Sequence, residues 1–194
     1  MSTTTALPKP AAVADRAQSI LDSWLADPEM EAVLDGCKRY SSDWSDDYGD
    51  FIIDRYSVDQ DAAPRIEAAI RVMSVKTAVY ELTGDEVAAE LPVPVPLDVT
   101  CHALTAQFTA LSRVQQRTGH LFVHSTINEH LVATPWRTGD YTHQAYEGAF
   151  GPVDPRYWID ADEAEQRRQV LDGMYASIGV TDRGMTSAIA FAAV

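Results

Sequence analysis

Three side chains in this sequence, Asp98, His102 and His124, are of types that could act together in one chemical centre. Asp98 and His102 stand four residues apart, so on a helix they occupy one face. His124 closes the run His120-Leu-Phe-Val-His124, just past Gly119. A chain reversal at that glycine would bring His124 back to the same end of the helix. Two neutral imidazoles and a carboxylate form a donor set for iron, zinc or copper, with coordination positions left open. His120 is a competing ligand, and His143 with Asp140 could join from a later loop.

Without a metal, the same residues suggest acid–base chemistry. Asp98 would orient the His102 imidazole and leave it as a general base in a pocket. Thr105, Tyr141 and Tyr146 offer hydroxyl partners, and Tyr141 is the one taken as a catalytic candidate beside His102 and Asp98. Cys101 adjoins His102 but falls on an apolar stripe, where a thiol is buried and inert. A purely structural role competes with both. His102 would then be bonded to Asp98 or to a backbone carbonyl, and His124 would satisfy a loop carbonyl. No HExxH or GxSxG spacing and no glycine-rich phosphate loop marks a known reaction.

These residues need elements to place them. Leu97, Cys101, Leu104, Phe108 and Leu111 recur at helical spacing, predicting one amphipathic helix from about residue 97 to 118. Asp98 is a candidate cap for its start and Gly119 a left-handed stop. The residues after Gly119 are expected to run extended. Upstream, helices are expected from Ala11 to Pro28, from Glu29 to Tyr40 and, with an aromatic face, from Trp44 to Tyr56. A strong helix follows from Asp61 to Thr83, with Pro64 in its first turn. The tail of the Asp85–Pro96 connector, LPVPVP, should be extended or polyproline-like. Downstream, helices are expected over Tyr141–Phe150 and from the Asp160-x-x-Glu163 start to about Ser177. Val170, Leu171, Met174 and Ile178 would form the buried side of the latter. The apolar end, Ala188 to Val194, is expected to dock on the body or on a second copy as a homo-oligomer.

The expected fold is all-α: an irregular bundle of six to seven helices with a short extended segment after the central helix. Residues 1–10 are expected to be disordered and 11–194 to form a single helical domain. The chain has 194 residues, enough for an adequate core without disulfides. Its two cysteines, Cys37 and Cys101, lie in helical patterns with no metal spacing. They read as reduced, buried thiols in a cytoplasmic protein. The formal charge is -14, from 15 basic and 29 acidic residues, which repels phosphate backbones and argues against a nucleic-acid partner. No apolar run is long enough to span a membrane. The aromatic set Trp44, Tyr48, Phe51, Trp136 and Trp158 would line a groove or a partner surface if not part of the core.

Residues 60–160 resemble the helical region of the glycine-rich domain-containing protein-like family. Asp98, Cys101-His102, Gly119, Phe122 and His124 fall at the family's spacing. Tyr146, Phe150-Gly151 and Trp158 match its later helix and tryptophan, and the stretch from Pro64 to Pro96 matches its long helix and proline-rich connector. Cys101 stands where the family has tryptophan, and Ser125 where it has a second histidine. No glycine-rich tail follows. The resemblance implies a helical fold and carries over Asp98, His102 and His124. The functional expectation is a small metal-binding enzyme, oxidative or lyase-like, acting on a small molecule. The alternative is a non-catalytic interaction or ligand-binding module.

Overall fold

In the computed structural model, residues 5–39, 58–124 and 135–179 are described. Among them are eight helices and no strand: α1 (Pro10–Leu25), α2 (Met30–Arg39), α3 (Val58–Thr83), α4 (Glu86–Ala89), α5 (Val95–Thr105), α6 (Phe108–Thr118), α7 (Tyr141–Phe150) and α8 (Ala161–Ser177). The all-α irregular bundle expected from the sequence is the fold. None of these helices is long and apolar enough to cross a membrane.

The bundle is built around α3. Its 26 residues pack against α1, α2, α4, α5 and α7. A helix touched on so many sides must be apolar nearly all round. Ile66, Ala69, Val72, Met73, Val75 and Val79 are accordingly buried, and so are the polar Arg65, Ser74, Lys76 and Thr77. The helix begins earlier than its apolar pattern, so Pro64 lies in the interior and not in the first turn. There its ring offers no N–H to the carbonyl of Gln60. Gly84, at φ 70°, turns the chain out of α3, and the Asp85 side chain caps α4 by accepting from Val87 and Ala88. The connector is therefore partly helical. Its tail enters α5 at Val95, where Pro94 and not Asp98 holds the cap position, and Asp98 sits in the first turn.

The predicted single helix over 97–118 is two. Gln107, with ψ 33°, leaves helical geometry between α5 and α6. The two halves serve different neighbours. α5 buries Leu97, Thr100, Cys101 and Leu104 and packs chiefly on α3, while α6 packs on α2 and α1. A straight rod could not reach both. The Gln107 side chain lies over Gly36 of α2, where a Cβ would come within 2.8 Å of its Oε1. The break turns Phe108 outward, 72% exposed, and leaves Leu111 and Val114 as the buried face of α6.

The predicted burial of α8 is also corrected. Val170, Met174 and Ile178 are exposed large hydrophobics. α8 lies largely outside the bundle, its surface held by the ion pairs Arg167–Glu163 and Arg168–Glu165. Trp136 and Trp158 belong to the core, with ring centroids 5.4 Å apart. Residues 5–9 lie against the body: Thr5 bonds Asp85 at 2.6 Å, and the Pro8 carbonyl accepts from Tyr141. The expected helix with Trp44, Tyr48, Phe51 and Tyr56, and the apolar end at 188–194, lie outside the described residues.

Candidate metal centre

The extended stretch after α6 is what closes the site. Gly119 adopts φ 76°, a left-handed cap that only glycine takes without strain. The next residues run back along α3, antiparallel to it. His120 meets Glu81, the Leu121 carbonyl accepts from Thr77 Oγ1 at 2.6 Å, and His124 meets Lys76. Phe122 is pinned from the other side by stacking on Trp24, centroids 4.0 Å apart. The base of this arm is fixed through α6. Arg117 binds the nearly buried Asp27 in two-pronged fashion, at 2.7 Å on each oxygen, and Arg113 binds Glu29. Arg117 and the Glu29 backbone N–H both stabilise the Asp27 carboxylate and hold its pKa below the usual range, with the Arg117 hydrogen bond the largest cause.

The reversal delivers His124 to α5. Asp98, His102 and His124 each present one ligand atom, and the three atoms lie within 4.8 Å of one another. The Asp98 carboxylate stands 3.7 Å from His102 Nε2 and 3.8 Å from His124 Nε2. The imidazole rings of His102 and His124 lie 4.8 Å apart between centroids, tilted by 52°. These separations are too long for hydrogen bonds. They are a little wider than the roughly 3.0–3.4 Å between neighbouring donor atoms on an ion with bonds of about 2.1 Å. Asp98 and His102 have side chains 41% and 42% exposed, which leaves them free to close that gap.

His124 is the buried member, its side chain 1% exposed. Its Nε2 is buried and has no hydrogen-bond partner. Leaving such an atom unsatisfied is costly. Burial, helped by the charges of Lys76 and His102, pushes its pKa down to about 3, so the ring is neutral at ordinary pH. Neutral imidazole is the form that binds metals. Burial also pushes the Asp98 carboxyl upward, against the pull of His102 and Lys76. Solvent reaching its half-exposed side chain screens that push.

Lys76 and Glu90 were not among the expected site residues. Lys76 sits in the apolar face of α3, its side chain 3% exposed, with Nζ 2.9 Å from Glu90 and 3.3 Å from His124 Nδ1. A lysine inside an otherwise apolar helical stripe was the available clue, since a buried ammonium requires a partner. As an ammonium it donates to Nδ1 and leaves the ring proton on Nε2, facing Asp98. An ion at Nε2 would displace that proton.

The other expected site residues are elsewhere. His120 gives Nδ1 to Glu81 at 2.7 Å and is not in the cluster. Tyr141 donates its hydroxyl to the Pro8 carbonyl at 2.7 Å. His143 accepts from the Gly139 N–H, and Asp140 accepts from the Arg137 N–H, so both serve their own turn. Thr105 bonds the His102 carbonyl, and Tyr146 packs in the aromatic core beside Trp158. Cys101 and Cys37 are free, buried thiols, both raised by burial, Cys37 to about 12, which excludes them as ready nucleophiles.

Comparison with known proteins returns no match, either to a family model, to a curated protein or to a solved structure.

Proposed function

We propose that this chain is a small metal-binding enzyme, with one divalent ion held by Asp98, His102 and His124. One observation carries the reading. Side chains from two separate elements converge with their donor atoms within 4.8 Å, and the buried Nε2 of His124 has no hydrogen-bond partner. Three protein donors leave positions open for a small-molecule substrate on the half-exposed side formed by Asp98 and His102. Iron, zinc and copper suit two imidazoles and a carboxylate, and such an ion supplies Lewis-acid or redox chemistry. Oxidative or lyase-like turnover of a small molecule in the cytoplasm is the corresponding activity. Kinship with the glycine-rich domain-containing protein-like family is part of the same proposal, resting on the same three residues. His120 and Tyr141, already paired with Glu81 and Pro8, are left out of it.

Elemental analysis of protein purified without chelator tests the proposal. Near-stoichiometric iron, zinc or copper is expected, reduced at least about tenfold in His102→Ala and in His124→Ala. A metal-free wild-type protein that takes up none of these ions on titration overturns it. A second reading, a non-catalytic interaction module, draws support from the exposed Val170 and Met174 of α8 and Ile178 just past its end.

A further inference from the structure

The first turn of α5, which carries Asp98, is held by a cation inside the core. Arg65 of α3 is completely buried. Its Nη2 donates to the Pro96 carbonyl at 2.9 Å and to Thr100 Oγ1 at 2.5 Å. The Thr100 hydroxyl in turn donates to the same Pro96 carbonyl at 2.8 Å. Pro96 and Thr100 lie two residues before and two residues after Asp98.

Two forces work against this arrangement. A guanidinium taken out of water loses much hydration, and burial drags the Arg65 pKa down to about 9. It also lies at the N-terminal end of α5, where the helix dipole is positive and disfavours a cation. A long apolar side chain would fill the same space without either penalty. It could not fix the rotation and height of α5 against α3, because apolar contacts are non-directional. Hydrogen bonds to one carbonyl and one hydroxyl do fix them. The tolerance is small: sliding α5 by one residue would shift Asp98 and His102 by about 1.5 Å and turn them by roughly 100°.

We infer that Arg65 is a positioning residue for the Asp98–His102–His124 cluster, acting through Pro96 and Thr100. α3 then serves as the common bench. Arg65 sets the α5 side of the site, and Lys76, three turns on, meets the His124 side. The inference rests on reading the cluster as the functional site, and its metal readout rests on the ion proposed above.

The test compares full-length wild type, Arg65→Met and Thr100→Val. In metal-free protein, nuclear Overhauser contacts between the His102 and His124 rings report the convergence directly. They are expected in wild type and lost or much weakened in Arg65→Met, even where that variant unfolds at the wild-type denaturant concentration. Cobalt(II) is the second probe. Its affinity should fall about tenfold or more in Arg65→Met, with a changed visible spectrum, and less in Thr100→Val. If Arg65→Met does not fold, Thr100→Val, which removes one acceptor and keeps the shape, decides by the same two readouts. Unchanged ring contacts in the folded variants overturn the inference. If wild type binds neither cobalt nor iron, zinc or copper, the metal reading fails while the ring contacts still decide the role of Arg65. Absent ring contacts in wild type overturn it outright.

Discussion

Lys76 faces the Nδ1 atom of His124 across 3.3 Å, deep in a helical bundle and 48 residues away in sequence. Burial, with the charge of Lys76 beside it, keeps the ring neutral. For the His124 imidazole, the ordinary value of 6.5 describes the unfolded chain and about 3 the folded one. Between those values the unfolded chain binds a proton that the folded chain refuses. Stability of the metal-free protein therefore falls as pH drops through that window, with a limiting slope of about 1.4 kcal/mol per pH unit. Asp98, raised in the folded state, returns part of this in the range just above its unfolded value of 3.8. Urea midpoints measured from pH 7 to 5 should decline in wild type and much less in His124→Gln. Parallel profiles for the two proteins would sink this account.

The ammonium of Lys76 is ion-paired with Glu90 at 2.9 Å. Lys76→Met removes one member of a largely buried ion pair and strands the other. A loss of about 3 kcal/mol or more is expected in chemical denaturation. Adding Glu90→Gln should recover much of it. A single variant as stable as wild type would show that Glu90 finds water or another partner unaided.

Metal binding should be visible as stabilisation. An ion that binds only the folded state adds about 2.7 kcal/mol at a hundredfold excess over its dissociation constant. The melting temperature should rise with zinc or cobalt in wild type and in His120→Ala, whose imidazole belongs to Glu81. It should not rise in Asp98→Asn or His124→Ala. A shift abolished by His120→Ala would mean a different ligand set.

Gly119→Ala tests the arm that carries His124. Nothing lies within 4 Å of a Cβ at that position, so the cost is conformational, about 1–2 kcal/mol for a left-handed alanine. Gly119→Asn should cost less, since asparagine tolerates that conformation. Denaturation midpoints ordered glycine, asparagine, alanine are the expected result. Equal midpoints for all three would mean that the turn does not hold the arm.

Much of this was legible in the sequence, for identifiable reasons. Asp98 and His102 share a face because four residues make about one helical turn, and that holds wherever the helix packs. Gly119 announced its own conformation, because few other residues tolerate positive φ. The convergence with His124 was only permitted by the sequence, since it depends on Thr77, Glu81 and Trp24 receiving the extended segment. The break at Gln107 was hidden, because the apolar spacing runs on through Phe108 as if the helix were straight. Only the competing demands of α3 and of the α1–α2 corner bend it. Lys76 was concealed by a stripe of valines and methionine, and Arg65 by Asp61 and Glu67 close by in sequence, which make it read as part of a charged surface. The exposed face of α8 misled in the opposite sense, for helical periodicity promises a partner without saying where that partner is.

Trp24 and Phe122 stack within 15° of parallel, and Phe122 is two residues from His124. An indole in the first helix thus shares an arm with the most deeply buried ring of the cluster. Any event that tugs on that arm alters the surroundings of a chromophore already present. Intrinsic ultraviolet emission, compared between wild type and Trp24→Phe, becomes a label-free optical gauge of whether the cluster is open or drawn together.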